Sequence, residues 1–188
     1  MATKKYISDY RMENVLDEKT GKLRTVPVYR GDLYSFISSE EDVKKGTLIF
    51  VIATVTAFVV LVATLLVNAR CARVIYVSLP VAALVFPVYG CMASMLRLLN
   101  VKEQVSREHS DKLAGRYTSS SFFMMLLSGI SVIGHIVYIC LGRETWPDEL
   151  FLIGAAVIFA CGAVMFLNRK LISMEKTGSA KIVYDDED

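Results

Sequence analysis

Apolar residues in this chain gather into four long blocks, and nearly all charged residues lie between them. The blocks are "TLIFVIATVTAFVVLVATLLV" (Thr47 to Val67), "VIYVSLPVAALVFPVYGCMASMLRLL" (Val74 to Leu99), "FFMMLLSGISVIGHIVYICL" (Phe122 to Leu141) and "LFLIGAAVIFACGAVMFL" (Leu150 to Leu167). A helix needs roughly 20 mostly apolar residues to cross a bilayer. The last block is short, but Asn168, Arg169 and Lys170 can extend it to about residue 170 by snorkelling to the interface. Helices of a soluble bundle keep a polar face, whereas these blocks are apolar all round. The pattern predicts an all-α integral membrane fold with four transmembrane helices, over about 47–67, 74–99, 122–141 and 150–170.

The connections predict the rest of the architecture. The first and third loops are short, so the spans pair as two antiparallel hairpins. After the second block, Val101, Val105, His109 and Leu113 recur every four residues among charges. That spacing extends the second helix through a helical loop over 100–121, ending near Ala114-Gly115 at a glycine C-cap. "TSSS", Thr118 to Ser121, then supplies N-capping hydroxyls for the third span. "NRKLISMEKTG" continues the fourth helix to Gly178, within a tail over 172–188. The extension over 1–46 holds two extended pieces around a Lys19-Thr20-Gly21 turn, with Leu23, Val26 and Val28 giving strand character. Pro27 confines the second piece to an edge. Neither this region nor "KIVY", Lys181 to Tyr184, can bury a core alone. Either both stay solvated, or Lys181 to Tyr184 joins the N-terminal hairpin in a small β-sheet.

Composition supports the membrane class: the 188 residues are 54% hydrophobic, with a mean hydropathy of +0.44. The net charge of +2 matters less than its placement. Eighteen Lys and Arg lie before the first span, between spans two and three, or after the fourth, and three lie in the other two loops. Both termini therefore face the cytoplasm by the positive-inside rule, and the plasma membrane is the expected location. "MATKKYISDYRMENVLDEKTGK" has no apolar core, so no cleaved signal peptide is expected.

One ionisable group lies well inside a block. His135 is about 9 Å below the outer boundary, counting 1.5 Å per residue. Ser128, Ser131, His135 and Tyr138 follow a helical period, so they form one polar stripe that must face protein or water. Tyr76, Ser78 and Pro80 of the second span lie at matching depth. Pro80 leaves the Tyr76 carbonyl without its helical donor, so a neutral His135 bonded to that carbonyl or to Ser78 would tether two helices. A functional role in a proton relay or solute contact is the alternative. Pro80 and Pro87 are expected to kink the second helix. Cys71 and Cys140 both fall at the outer face as a candidate disulfide, while Cys91 and Cys161 read as packing residues. Trp146, Tyr76 and Tyr117 fit interfacial anchors, and Glu144, Asp148 and Glu149 fit a solvated loop.

Several classes of function are poorly served. There is no HExxH, GxSxG, P-loop or GxGxxG, no CxxC pair, and no carboxylate within the four blocks. No catalytic site, cofactor or metal site is expected, and no clustered basic face suggests nucleic acid. The leading expectation is a multi-pass protein in the lipid bilayer that acts through a protein partner or a homo-oligomer, as an accessory subunit, assembly factor or sensor. The alternative is a small transporter or channel component, with a solute path near His135 and the kinked second helix.

Overall fold

The computed structural model describes residues 4–16, 23–100, 105–141 and 146–179. Its first long helix, α1, spans Glu40–Leu66 and starts earlier than the apolar block because polar residues cap it. Ser39 Oγ accepts from the Asp42 amide at 3.2 Å, and Glu40, Glu41 and Asp42 place negative charge at the positive end of the helix. The second apolar block is divided into α2 (Ile75–Ala83) and α3 (Val85–Leu99), interrupted at Leu84. Pro80 lies inside α2, and Pro87 is the third residue of α3. The helix α4 runs over Arg107–Cys140 and α5 over Trp146–Leu167. Four helices among the described residues are long and apolar enough to cross a membrane: Glu40–Leu66, Ile75–Leu99, Arg107–Cys140 and Trp146–Ile172.

The boundaries differ from expectation at both ends of α4 and α5. The second helix does not continue to Ala114-Gly115; it stops at Asn100, whose Nδ2 donates to the Leu96 carbonyl at 2.9 Å. The helical segment after it belongs to α4. Leu113, Tyr117, Ser121, Met124, Ser128, Ser131, His135 and Tyr138 form one buried stripe in a single phase, so Gly115 and Thr118 to Ser121 are helix interior. Ser121 Oγ accordingly donates back to the Tyr117 carbonyl at 2.9 Å instead of capping a helix start. After α5 the chain makes a 3-10 turn, Asn168–Ile172, and then a strand, not a helix to Gly178.

Two small sheets gather beyond that end of the bundle. Strands β1 (Tyr10–Leu16) and β2 (Leu23–Tyr29) pair antiparallel, with Pro27 opposite Met12. The expected turn at Lys19-Thr20-Gly21 lies outside the described residues. Strand β3 (Asp32–Phe36) is the centre of a second sheet, flanked by β4 (Val105–Ser106) and β5 (Met174–Ser179). The tail thus contributes a strand just upstream of Lys181 to Tyr184, residues that lie outside the described set. Its partner is β3, not the β1–β2 pair. Lys176 Nζ pairs with Asp32 Oδ1 at 2.8 Å, and the Ser35 and Thr177 hydroxyls bond across the same strands.

Close approaches at small residues fix the helix packing. A Cβ on Gly162 of α5 would lie 2.9 Å from the Met125 backbone nitrogen of α4, and one on Gly154 would collide with Thr64 of α1. On α3, one on Gly90 would collide with Ser120. Such contacts join opposite ends of neighbouring helices in sequence order, so α5 runs antiparallel to both α1 and α4. The result is inverted relative to a soluble protein. Thr54, Thr64, Ser94, Ser121, Ser128, Ser131, His135 and Asp148 are buried, whereas Ile52, Val59, Phe86, Tyr89, Ile133 and Ile153 are exposed.

Candidate functional site

The four stripe residues do share one buried face of α4, but they do different things. Ser128 Oγ donates at 2.6 Å to the Met124 carbonyl of its own helix. Ser131 Oγ reaches across to α2, donating to the Val77 carbonyl at 3.4 Å. The Tyr76 carbonyl, the expected acceptor for His135, lies close to Gly134: a Cβ added there would sit 3.0 Å from that oxygen. The imidazole lies along α5. It stacks on Phe151 at 6.3 Å between centroids with planes 16° apart, and tilts against Tyr138 at 6.0 Å. Ser131 and Gly134 of α4 thus meet α2, and His135 meets α5 through Phe151.

That interface contains a carboxylate. Because α5 begins at Trp146, Asp148 lies in its first turn and is fully buried, contrary to the solvated-loop expectation. Asp148 Oδ1 accepts from the Cys71 amide at 2.8 Å. This contact holds the short turn Cys71–Arg73, between α1 and α2, against the start of α5. The Cys71 thiol is also hydrogen-bonded to Asp148; burial first, and then that carboxylate, push its pKa up to about 12. Phe151 lies one helical turn after Asp148 on the same buried stripe, which continues through Ala155, Ile158, Gly162 and Met165. His135, Tyr138, Phe151, Asp148 and Cys71 thus form a buried polar and aromatic plug at one end of the bundle.

Asp148 is the residue that sequence reasoning missed. Two signals could have found it: "WPDEL" has proline and acidic residues suited to a first helical turn, and position 148 is in phase with the small and apolar positions downstream. The candidate disulfide pair divides between environments, with both thiols free; Cys71 is buried and Cys140 exposed. Cys91 is buried as a packing residue. Tyr117 is no interfacial anchor. It is buried, donates to the Met165 carbonyl at 2.7 Å and packs edge-on against Phe50 at 4.5 Å. Trp146 and Tyr76 do lie on the exterior. Among the described residues, no group of three or more His, Cys, Asp or Glu could hold a metal ion.

No protein-family model, curated protein or solved structure matches this chain.

Proposed function

We propose that this is a four-span protein of the plasma membrane, two antiparallel hairpins with both termini cytoplasmic, that acts through a protein partner as an accessory subunit, assembly factor or sensor. The observation that carries this reading is a folded, apolar surface outside the bundle. In the β1–β2 pair, Tyr10 opposes Tyr29, Met12 opposes Pro27 and Asn14 opposes Thr25, so these residues share one face. On it Met12 is 73% and Leu23 72% exposed. Such apolar exposure on the aqueous side favours association.

The surface is also held in place. Tyr6 Oη donates to Asp111 Oδ2 at 3.0 Å, and the Arg107 amide donates to Tyr29 Oη at 2.9 Å, so the Tyr10–Tyr29 end of the pair rests on the start of α4. Arg30 pairs with Glu13 at 2.6 Å. A rigid edge costs a partner less ordering entropy than a solvated tail would. The transporter reading rests on the buried polar stripe. Against it, Leu84, Met124, Ile158 and Met165 are fully buried and fill the bundle interior, leaving one copy little room for a path.

Removing residues 1–45 should release a protein that co-purifies with the intact chain in mild detergent. Association that survives this deletion contradicts the partner reading, and reconstituted solute flux lost on His135→Ala supports the transporter instead.

A further inference from the structure

The same end of the bundle that carries the sheets holds a cavity of about 190 Å³ whose chemistry the partner reading does not use. Its walls are apolar: Phe50 of α1, Leu98 of α3, Leu113 of α4 and Ile172 of the 3-10 turn. Besides Ala114 and Tyr117, the rest of its lining is cationic and hydroxylic, with Arg169, Lys170, Thr118 and Ser173. Among the described residues, no carboxylate lines it. Among the described residues, neither Arg169 nor Lys170 has a salt-bridge partner, whereas Lys44, Lys112 and Lys176 do.

The cations are also pre-positioned. The Arg169 guanidinium carbon lies 4.0 Å over the Phe166 ring, an attraction that fixes the group while leaving its N–H edge available. The turn carrying both residues is seated on α1 through Gly46, where a Cβ would come 2.8 Å from Leu171 Cβ. It is tied down further by the Ile37 amide, which donates to the Ser173 carbonyl at 3.1 Å.

Two cations with no salt-bridge partner among the described residues, above an apolar wall where an apolar helix leaves its hydrophobic stretch, suit a ligand with an anionic head and an apolar body. We infer that this cavity binds the phosphoryl headgroup of an anionic phospholipid from the cytoplasmic leaflet, with Arg169 and Lys170 on the phosphate and the acyl chains leaving along the helices. The inference rests on the membrane reading and its orientation. Basic pockets between helices on the cytoplasmic side are a recurrent solution to this task, and each cation there adds about fivefold to affinity.

The test uses the full chain purified in mild detergent, with native mass spectrometry counting bound lipid and thermal unfolding reporting stabilisation. Phosphatidic acid should bind and raise the unfolding temperature, whereas phosphatidylcholine should do neither. Arg169→Gln/Lys170→Gln should weaken phosphatidic acid binding about 25-fold, two steps of fivefold. Lys44→Gln/Lys45→Gln removes the same charge from α1 outside the cavity and should change binding less than twofold. Equal losses in the two variants would reduce the effect to net charge and overturn the site. Stabilisation by inorganic phosphate alone to the same extent would overturn a lipid source, and absence of binding in the unmodified chain would overturn the inference altogether. Resistance of the chain to alkaline extraction from membranes reports separately on the membrane reading.

Discussion

A carboxylate with no exposed surface must be held by its neighbours, and at Asp148 one of them is the Cys71 amide. Removing the acceptor leaves that amide buried without its partner. Asp148→Ala should therefore cost about 2–3 kcal/mol of unfolding free energy, and Asp148→Asn, which keeps an oxygen, about 1 kcal/mol. Equilibrium unfolding in mixed micelles measures both; two equal, negligible losses would mean that the contact does not hold the turn. The Cys71 thiol gives a second expectation. Its pKa is raised from 9.0 to about 12 in the folded chain. The folded state thus keeps a proton that the unfolded state gives up first. The associated stability is complete below about pH 9 and is lost as pH rises towards 12. Near pH 8 a maleimide should modify exposed Cys140 within minutes and leave Cys71 unmodified until the chain unfolds. Rapid modification of both would contradict the burial. His135 was legible as a residue needing an explanation. Its surroundings were not, because the fourth apolar block begins at Leu150, after Asp148, and hydropathy alone leaves the carboxylate outside the helix.

At the scale of elements, long apolar blocks were easy to place, since burying twenty apolar side chains admits few alternatives. What connects them was harder. The four-residue recurrence ending at Leu113 fits either the helix before it or the helix after it. The decisive fact is phase: Leu113 and Tyr117 continue directly into Met124 and Ser128. Gly115 tests this assignment. It is exposed within α4, and a Cβ there meets nothing within 4 Å. Gly115→Ala should therefore stabilise the protein by about 0.5–1 kcal/mol. A helix ending at a left-handed Gly115 would lose stability instead. Gly162→Val makes the opposite comparison, driving a side chain into the Met125 backbone, and should cost several-fold more than the alanine gains. The β3–β5 pairing left no local trace, since Ser35 and Thr177 are separated by 142 positions. A five-residue strand such as "DLYSF" acquires its identity only from its partners.

For the whole molecule, polarity divides along two axes. Across the bundle, hydroxyls, an imidazole and a carboxylate lie inside and aliphatic side chains outside. Along it, one end closes on the Asp148 plug, and the other gathers the sheets, the cationic cavity and most of the Lys and Arg. The first division was legible from hydropathy alone, and the second from charge counts. That the N-terminal region is folded depends on contacts made with α4 and the tail, which local pattern does not contain. The central claim, that the β1–β2 face engages a protein partner, is tested most directly by the mass of the assembly in mild detergent, for the unmodified chain and for Met12→Glu/Leu23→Glu. Both substitutions lie at exposed positions and leave the bundle untouched. The unmodified 20.9 kDa chain should elute in a larger assembly containing a second protein, and the variant should elute alone. An assembly of the same mass and composition in both would contradict it.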